Sequence, residues 1–161
     1  MKILKIITEE IPMIKIMFVC HGNICRSPMA EFVLRDMVNK MGFSKDFQIF
    51  SSATSCEELG NPVYPPVRSL LKEKGIDTLG KFSVQLKKSD YEKYDLFIGM
   101  DSANIRNMHR IFGSDPENKI RKMMDFTSRG GDVADPWYTR DFNRTYEDIY
   151  DACKCIVDMG F

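Results

Sequence analysis

Apolar positions fall in blocks along the chain, and the blocks change period. Residues 14–19, IKIMFV, hold one lysine in an otherwise apolar run, the pattern of a strand covered on both faces. Met29, Phe32, Val33, Met37 and Met41 then recur at helical spacing, and Gly42 supplies a stop. Ser27 and Pro28 precede them as a cap and a proline at the first helical position. Residues 47–53 predict a second strand. Residues 54–66 contain Gly60, Asn61 and three prolines and read as loop, leading into a helix that ends near Gly75. Residues 94–100, YDLFIGM, predict another buried strand, and Asp101 and Ser102 cap a helix that runs to Phe112, before Gly113. A weaker strand pattern covers 119–124, and the glycine- and aspartate-rich stretch 126–139 reads as loop. Phe142, Tyr146, Ile149, Cys153, Ile156 and Val157 share one face of a last helix.

Strand alternating with helix points to an α/β fold whose parallel sheet is covered on both faces. The 161 residues suit one domain with a real core, and no repeat or linker divides them. Lys plus Arg equals Asp plus Glu at 23 each, so there is no global pull toward nucleic acid. Anion recognition must then be local. No apolar run approaches the roughly 20 residues that cross a bilayer, so no membrane insertion is expected. Glu9, Glu10 and Pro12 follow the lysine-interrupted start where a signal peptide has small residues. Five cysteines without framework spacing suit reduced thiols, and the chain is read as cytoplasmic.

The chemistry concentrates in VCHGNICRSP, residues 19–28, between the first strand and the first helix. Ligands of such sheets bind at the carboxyl ends of the strands, where this stretch lies. A loop this short must curl, turning backbone N–H groups inward as an anion nest beside a helix N-terminus. Gly22 is expected to supply the positive backbone angle, and Asn23 to tie the loop by side-chain hydrogen bonds. Arg26 offers a planar fork for two oxygens of a tetrahedral anion. Cys20 sits in a field built for negative charge, which favours its thiolate, and the Ser27 hydroxyl can donate to it. This combination suits in-line attack on a bound phosphate, giving a phosphocysteine. A leaving group then needs an acid. ADPWY, residues 134–138, supplies Asp135, with Pro136 stiffening the segment and Trp137 and Tyr138 as flat walls for an aromatic ring.

Other readings of these residues are weaker. Cys20 and Cys25 lack a second pair at zinc spacing, because Cys153 and Cys155 fall on a helix; neither metal nor cofactor is expected. His21 is adjacent to Cys20, and adjacent residues rarely face each other as a Cys–His pair needs. Cys25 shares the curl with Cys20 and is expected near it, where it could trap an oxidised Cys20 as a disulfide.

Taken together, these residues resemble the low molecular weight protein tyrosine phosphatases. The shared features are Cys, five residues and Arg-Ser-Pro near the N-terminus, with Asp-Pro-aromatic-aromatic near the C-terminus. SSATS at 51–55, GNP at 60–62 and MDSAN at 100–104 extend the likeness over about residues 14–161. The resemblance implies a single domain with a central four-stranded parallel sheet flanked by helices on both faces. It implies cofactor-free hydrolysis of phosphotyrosine, with Cys20 as nucleophile, Arg26 as phosphate clamp and Asp135 as general acid. His21, Gly22, Asn23, Ile24, Cys25 and Ser27 form the substrate loop, with Ser51 holding Asn23 and Asp101 in support. It also implies a phosphotyrosine-bearing protein as partner, in a bacterial source an autophosphorylating tyrosine kinase. Residues 1–12 stand outside the pattern as an extension to a domain at 13–161.

The chain departs from this family in two places. Many members carry a His and an Arg in the segment aligned with 80–86, where this chain has Lys81 and Val84, and an aromatic of the substrate lip is replaced near Glu57. Three alternatives compete. Arsenate reductases need a resolving cysteine pair near residues 80–100, and this chain has no cysteine between Cys56 and Cys153. Protein arginine phosphatases tend to carry Thr where Ile24 stands. A phosphotyrosine-binding module without turnover has no need of both Cys20 and Asp135.

Overall fold

The computed structural model describes residues 12–159. The extension read at 1–12 and the last two residues of the domain read at 13–161 therefore lie almost wholly outside the described residues. Four strands form one parallel sheet: β1 (Ile14–Cys20), β2 (Phe47–Ala53), β3 (Leu96–Gly99) and β4 (Ile120–Lys122). Their order is β2-β1-β3-β4. The chain thus leaves β1 toward one edge and returns from β2 to β1's other side, which places a switch point between the ends of β1 and β3.

The alternation of side chains along β1 divides the core in two. Ile16, Phe18 and Cys20 face α1 (Arg26–Lys40), α2 (Pro65–Glu73) and α5 (Phe142–Asp158). Met17 and Val19 face α3 (Ser102–Phe112), in a cluster with Phe97, Met108, Phe112 and Tyr91. Full burial of each large apolar side chain in these layers stabilises the fold by about 1.5–3 kcal/mol. Gly99 is required where α3 crosses β3. A Cβ there would lie 2.9 Å from the Met108 methyl and 3.1 Å from Asn104 Cβ.

Helix α1 begins two residues earlier than the Ser27-Pro28 signal predicts. Arg26 is its first residue, and Cys25 takes the cap position without a side-chain bond. The Ser27 hydroxyl is engaged elsewhere, and the reading of Ser27 as cap is corrected on that ground. The first half of α1 is buried all round, from Arg26 to Leu34, and carries Glu31 inside with it. Asp101 does cap α3, accepting from the Asn104 N–H at 2.8 Å. Three short elements escape the sequence pattern: 3-10 turns at Lys88–Lys93 and Met123–Phe126, the second replacing the end of the strand read at 119–124, and the four-residue helix α4 (Pro136–Thr139) inside the stretch read as loop. No helix among the described residues is long and apolar enough to cross a membrane.

Candidate active site

Cys20 ends β1, and the chain curls through Cys25 before α1 starts. The outer side of the curl is held by neighbours. The carbonyls of Cys20 and His21 accept from the N–H groups of Thr54 and Ser55, and that of Ile24 accepts from Tyr64. The Gly22 carbonyl accepts from the Ser83 hydroxyl at 2.8 Å. In a trans peptide the next N–H points opposite its carbonyl, so the amides of His21, Gly22, Asn23 and Cys25 turn the other way. The Asn23 N–H reaches Cys20 Sγ at 3.3 Å, as that geometry requires.

The positive backbone angle falls on Asn23, with φ at 58°, and not on Gly22. Asparagine tolerates this region, and its side chain here stabilises it by tying three segments together. Its Nδ2 donates to Ser27 Oγ at 2.8 Å and to Ser51 Oγ at 2.9 Å, while Oδ1 accepts from the Val84 N–H. At Gly22 a Cβ would approach the Glu58 side chain to 3.2 Å, a tight contact that glycine avoids. Ser27 Oγ stands 2.9 Å from Cys20 Sγ.

Arg26 spans the switch point. Its Nη1 donates to Asp101 Oδ2 at 2.9 Å and to the Val133 carbonyl, and its Nη2 lies 3.3 Å from Asp135 Oδ2. Burial pulls the guanidinium down, but Cys20, Asp135 and Asp101 outweigh it and hold it above the ordinary arginine value. Asp135 is anchored by α4, whose Trp137 N–H donates to its Oδ1 at 3.0 Å. The preceding Ala134 is fixed to α5 through Asp148 and Thr145. These groups converge on a cleft of about 510 Å³ with Cys20, Arg26 and Asp135 at its base. Ile24, Tyr64, Trp137, Tyr138 and Phe142 line its walls.

The family profile described as low molecular weight phosphotyrosine protein phosphatase matches residues 15–158. The chain belongs to that family. Among relatives of the low molecular weight phosphatases, YfkJ of Bacillus subtilis is 33% identical over 147 residues, covering 90% of this chain and 94% of its own. The YfkJ crystal structure superposes with a TM-score of 0.88 over 91% and 94% of the two chains, at 32% identity. The Streptococcus pyogenes phosphatase structure is 39% identical, with a TM-score of 0.82 over 92% and 94%. A Drosophila arginine phosphatase structure is 25% identical, with a TM-score of 0.83 over 91% and 97%.

Cys20, His21, Gly22, Asn23, Ile24, Cys25, Arg26, Asp101, Asp135, Trp137 and Tyr138 all line this phosphatase-family cleft. Ser27 and Ser51 lie beneath it in the Asn23 network. His21 does not face Cys20; it is exposed and pairs with Glu57 on the rim at 3.0 Å. Cys25 is a free thiol that burial pushes far up, and Cys20 is likewise free. Sequence reasoning missed Tyr64 and Phe142 as walls, although each aromatic flanks a motif it had noted. It also missed Glu31, whose signal is a lone charge inside the most apolar stretch of α1.

Proposed function

We propose that this protein is a protein-tyrosine phosphatase that hydrolyses phosphotyrosine monoesters through a phosphocysteine on Cys20. The observation that carries the reading is the convergence of Cys20, Arg26 and Asp135 on one aromatic-walled cleft. The Cys20 thiolate attacks phosphorus in line as the bond to the phenolic oxygen breaks. Asp135, protonated, gives its proton to that oxygen, and tyrosine leaves. Arg26 and the inward amides bind the equatorial oxygens, where charge gathers in the transition state. Asp135, now a carboxylate, takes a proton from water as the water oxygen attacks phosphorus. The P–S bond breaks, inorganic phosphate leaves, and the thiolate and the protonated acid return. Water is the only co-reactant.

Tyr64, Trp137, Tyr138 and Phe142 give an aryl ring apolar walls, and Ile24 adds an aliphatic one. These walls support phosphotyrosine over phosphoarginine, the substrate class named for the Drosophila neighbour. The partner class is a phosphotyrosine-bearing protein, in a bacterial cell an autophosphorylating tyrosine kinase, met in the cytoplasm. Phosphate release is measured from matched phosphotyrosine and phosphoarginine peptides. The expected result is turnover of the phosphotyrosine peptide that Cys20→Ser abolishes while still binding vanadate. Retained activity in Cys20→Ser, or a preference for phosphoarginine, overturns the reading.

A further inference from the structure

The strap that delivers Asp135 turns on Gly130 and Gly131, both at positive φ, so its hold has to come from its neighbours. Helix α5 supplies two anchors, three residues apart and so on one face. Thr145 is fully buried, and its hydroxyl donates to the Ala134 carbonyl at 2.7 Å. Its contact with the Asp141 carbonyl, at 3.4 Å, is the longer of the two. Asp148 is 6% exposed, and its Oδ2 accepts from the Ala134 N–H at 3.3 Å. Its Oδ1 accepts from Arg129 Nη1 at 3.0 Å, so this one carboxylate joins both ends of the strap. A carboxylate enclosed in this way is costly unless it is paired and hydrogen-bonded, and both conditions are met.

The two anchors act on successive peptide groups. In the Val133–Ala134 peptide the N–H goes to Asp148, while the carbonyl, pointing the opposite way, accepts from Arg26 Nη1 at 3.3 Å. In the Ala134–Asp135 peptide the carbonyl accepts from Thr145, the only donor to it among the described residues. That plane carries the Asp135 nitrogen, so it sets the direction in which the acid's side chain leaves the backbone. One helix thereby holds the peptide that meets the clamp and the peptide that carries the acid. The bonds after Asp135 differ: its carbonyl accepts from the N–H groups of Tyr138 and Thr139, inside α4, and these travel with the acid. We infer that Thr145 and Asp148 are positioning residues: from α5 they fix the Ala134 peptides and so aim the Asp135 carboxyl at the leaving-group oxygen. A reacting group displaced by about 1 Å can lose up to about 10²-fold in rate with its own chemistry untouched.

The inference rests on Asp135 being the general acid, so Asp135→Asn is measured beside each variant. Thr145→Val removes the hydroxyl with little change of shape. kcat/KM is taken on aryl phosphates of graded leaving group, since it reports the step in which Cys20 displaces the phenolate. In Thr145→Val the poorest leaving groups are expected to slow about tenfold more than the best, and Thr145→Ser, which keeps the hydroxyl, to restore the wild-type slope. With Asp135 already changed to Asn, Thr145→Val is expected to add no further leaving-group dependence. A merely structural loss lowers all substrates alike and leaves the slope unchanged. Asp148→Ala removes the second anchor while Arg129 keeps Asp151 at 3.0 Å, so it stays testable if Thr145→Val fails to fold. The same selective loss is expected of it. An unchanged slope in either folded variant, beside an Asp135→Asn that does change it, overturns this inference alone, as does a further slope change in the Asp135→Asn background. A slope that Asp135→Asn leaves unmoved overturns the reading of Asp135 as acid, and this inference with it.

Discussion

Two carboxylates in this molecule gather donors in similar ways and serve different ends. Asp115 accepts from the Tyr91 hydroxyl at 2.6 Å and from the N–H groups of Lys119 and Ile120. Lys119 closes the cluster by laying its ammonium over the Tyr91 ring, 4.5 Å from the centroid. Everything but Tyr91 comes from the few residues leading into β4 and its first residue, and the bonds stay within that turn and Tyr91. Glu31 draws its partners from three separate segments, α1, β2 and the stretch around Lys81, and its bonds continue to Cys20. Asp115 is half-buried beside solvent, whereas Glu31 is sealed under the loop. A local, partly wet carboxylate staples a turn. A sealed one, reached from several elements, ties α1, β2 and the stretch around Lys81 together beneath the loop.

The sharpest way to break the reactive side of this contrast is at its anion clamp. Arg26→Lys keeps the charge but loses the fork that meets Asp101 and Asp135 and is proposed to clamp two phosphate oxygens. kcat on p-nitrophenyl phosphate is expected to fall about 10²–10³-fold, the usual cost of losing one fixed transition-state donor. A variant within a fewfold of wild type contradicts the clamp.

Asp135→Asn comes next and separates acid from anchor. The Asn side chain can still accept from the Trp137 N–H and hold α4. Aryl phosphates with poor leaving groups are expected to slow by about 10²–10⁴-fold in their cleavage step, and those with good ones much less. Equal losses across a leaving-group series would assign Asp135 to holding α4 alone.

The smallest effect belongs to the staple. Burial pushes the Asp115 carboxyl up, but its bonds from Tyr91, Lys119 and Ile120 outweigh that and leave it below the usual aspartate value. A carboxyl lowered by folding adds stability above the unfolded value of about 3.9, lost as pH falls through the folded one. Asp115→Asn is expected to cost about 1 kcal/mol at pH 7, screened by solvent, with the gap to wild type narrowing below pH 4. Thermal melts against pH check this, and kcat is expected to stay unchanged. A gap that widens in acid, or a loss of kcat, breaks the distinction between the two clusters.

The large elements were legible because burial leaves a mark in one dimension. The apolar run before Cys20 and the face from Phe142 to Val157 announce β1 and α5 through period alone. Helix α4 was not legible, since four residues beginning with proline carry no period. Ser27 fails as a cap because a serine before proline is only a cap by default, whereas the expected approach of its hydroxyl to the Cys20 sulfur is found. The positive angle at Asn23 rather than Gly22 goes with side-chain bonds to Ser27, Ser51 and Val84, two of which come from distant segments. Glu31 was overlooked for a related reason: a charge on a helix is normally solvated, and its place in the apolar stretch 29–34 was the one local sign that the first half of α1 is buried all round. Lys81 was visible only as a departure from the family pattern, and its partners lie 30 and 50 positions away.

The functional reading turns on phosphorus being bonded to Cys20 during turnover. Asp135→Asn offers the way to see it. With p-nitrophenyl phosphate the good leaving group needs little acid, so the thiolate is still phosphorylated, while water attack loses its base. The variant is mixed with substrate, quenched in milliseconds and digested, and the phosphorylated peptide is located by mass spectrometry. A burst of p-nitrophenol matching the enzyme concentration, with phosphate on Cys20 and none in Cys20→Ser, is the predicted result. Phosphate on another side chain, or turnover with no covalent intermediate on Cys20, would contradict it.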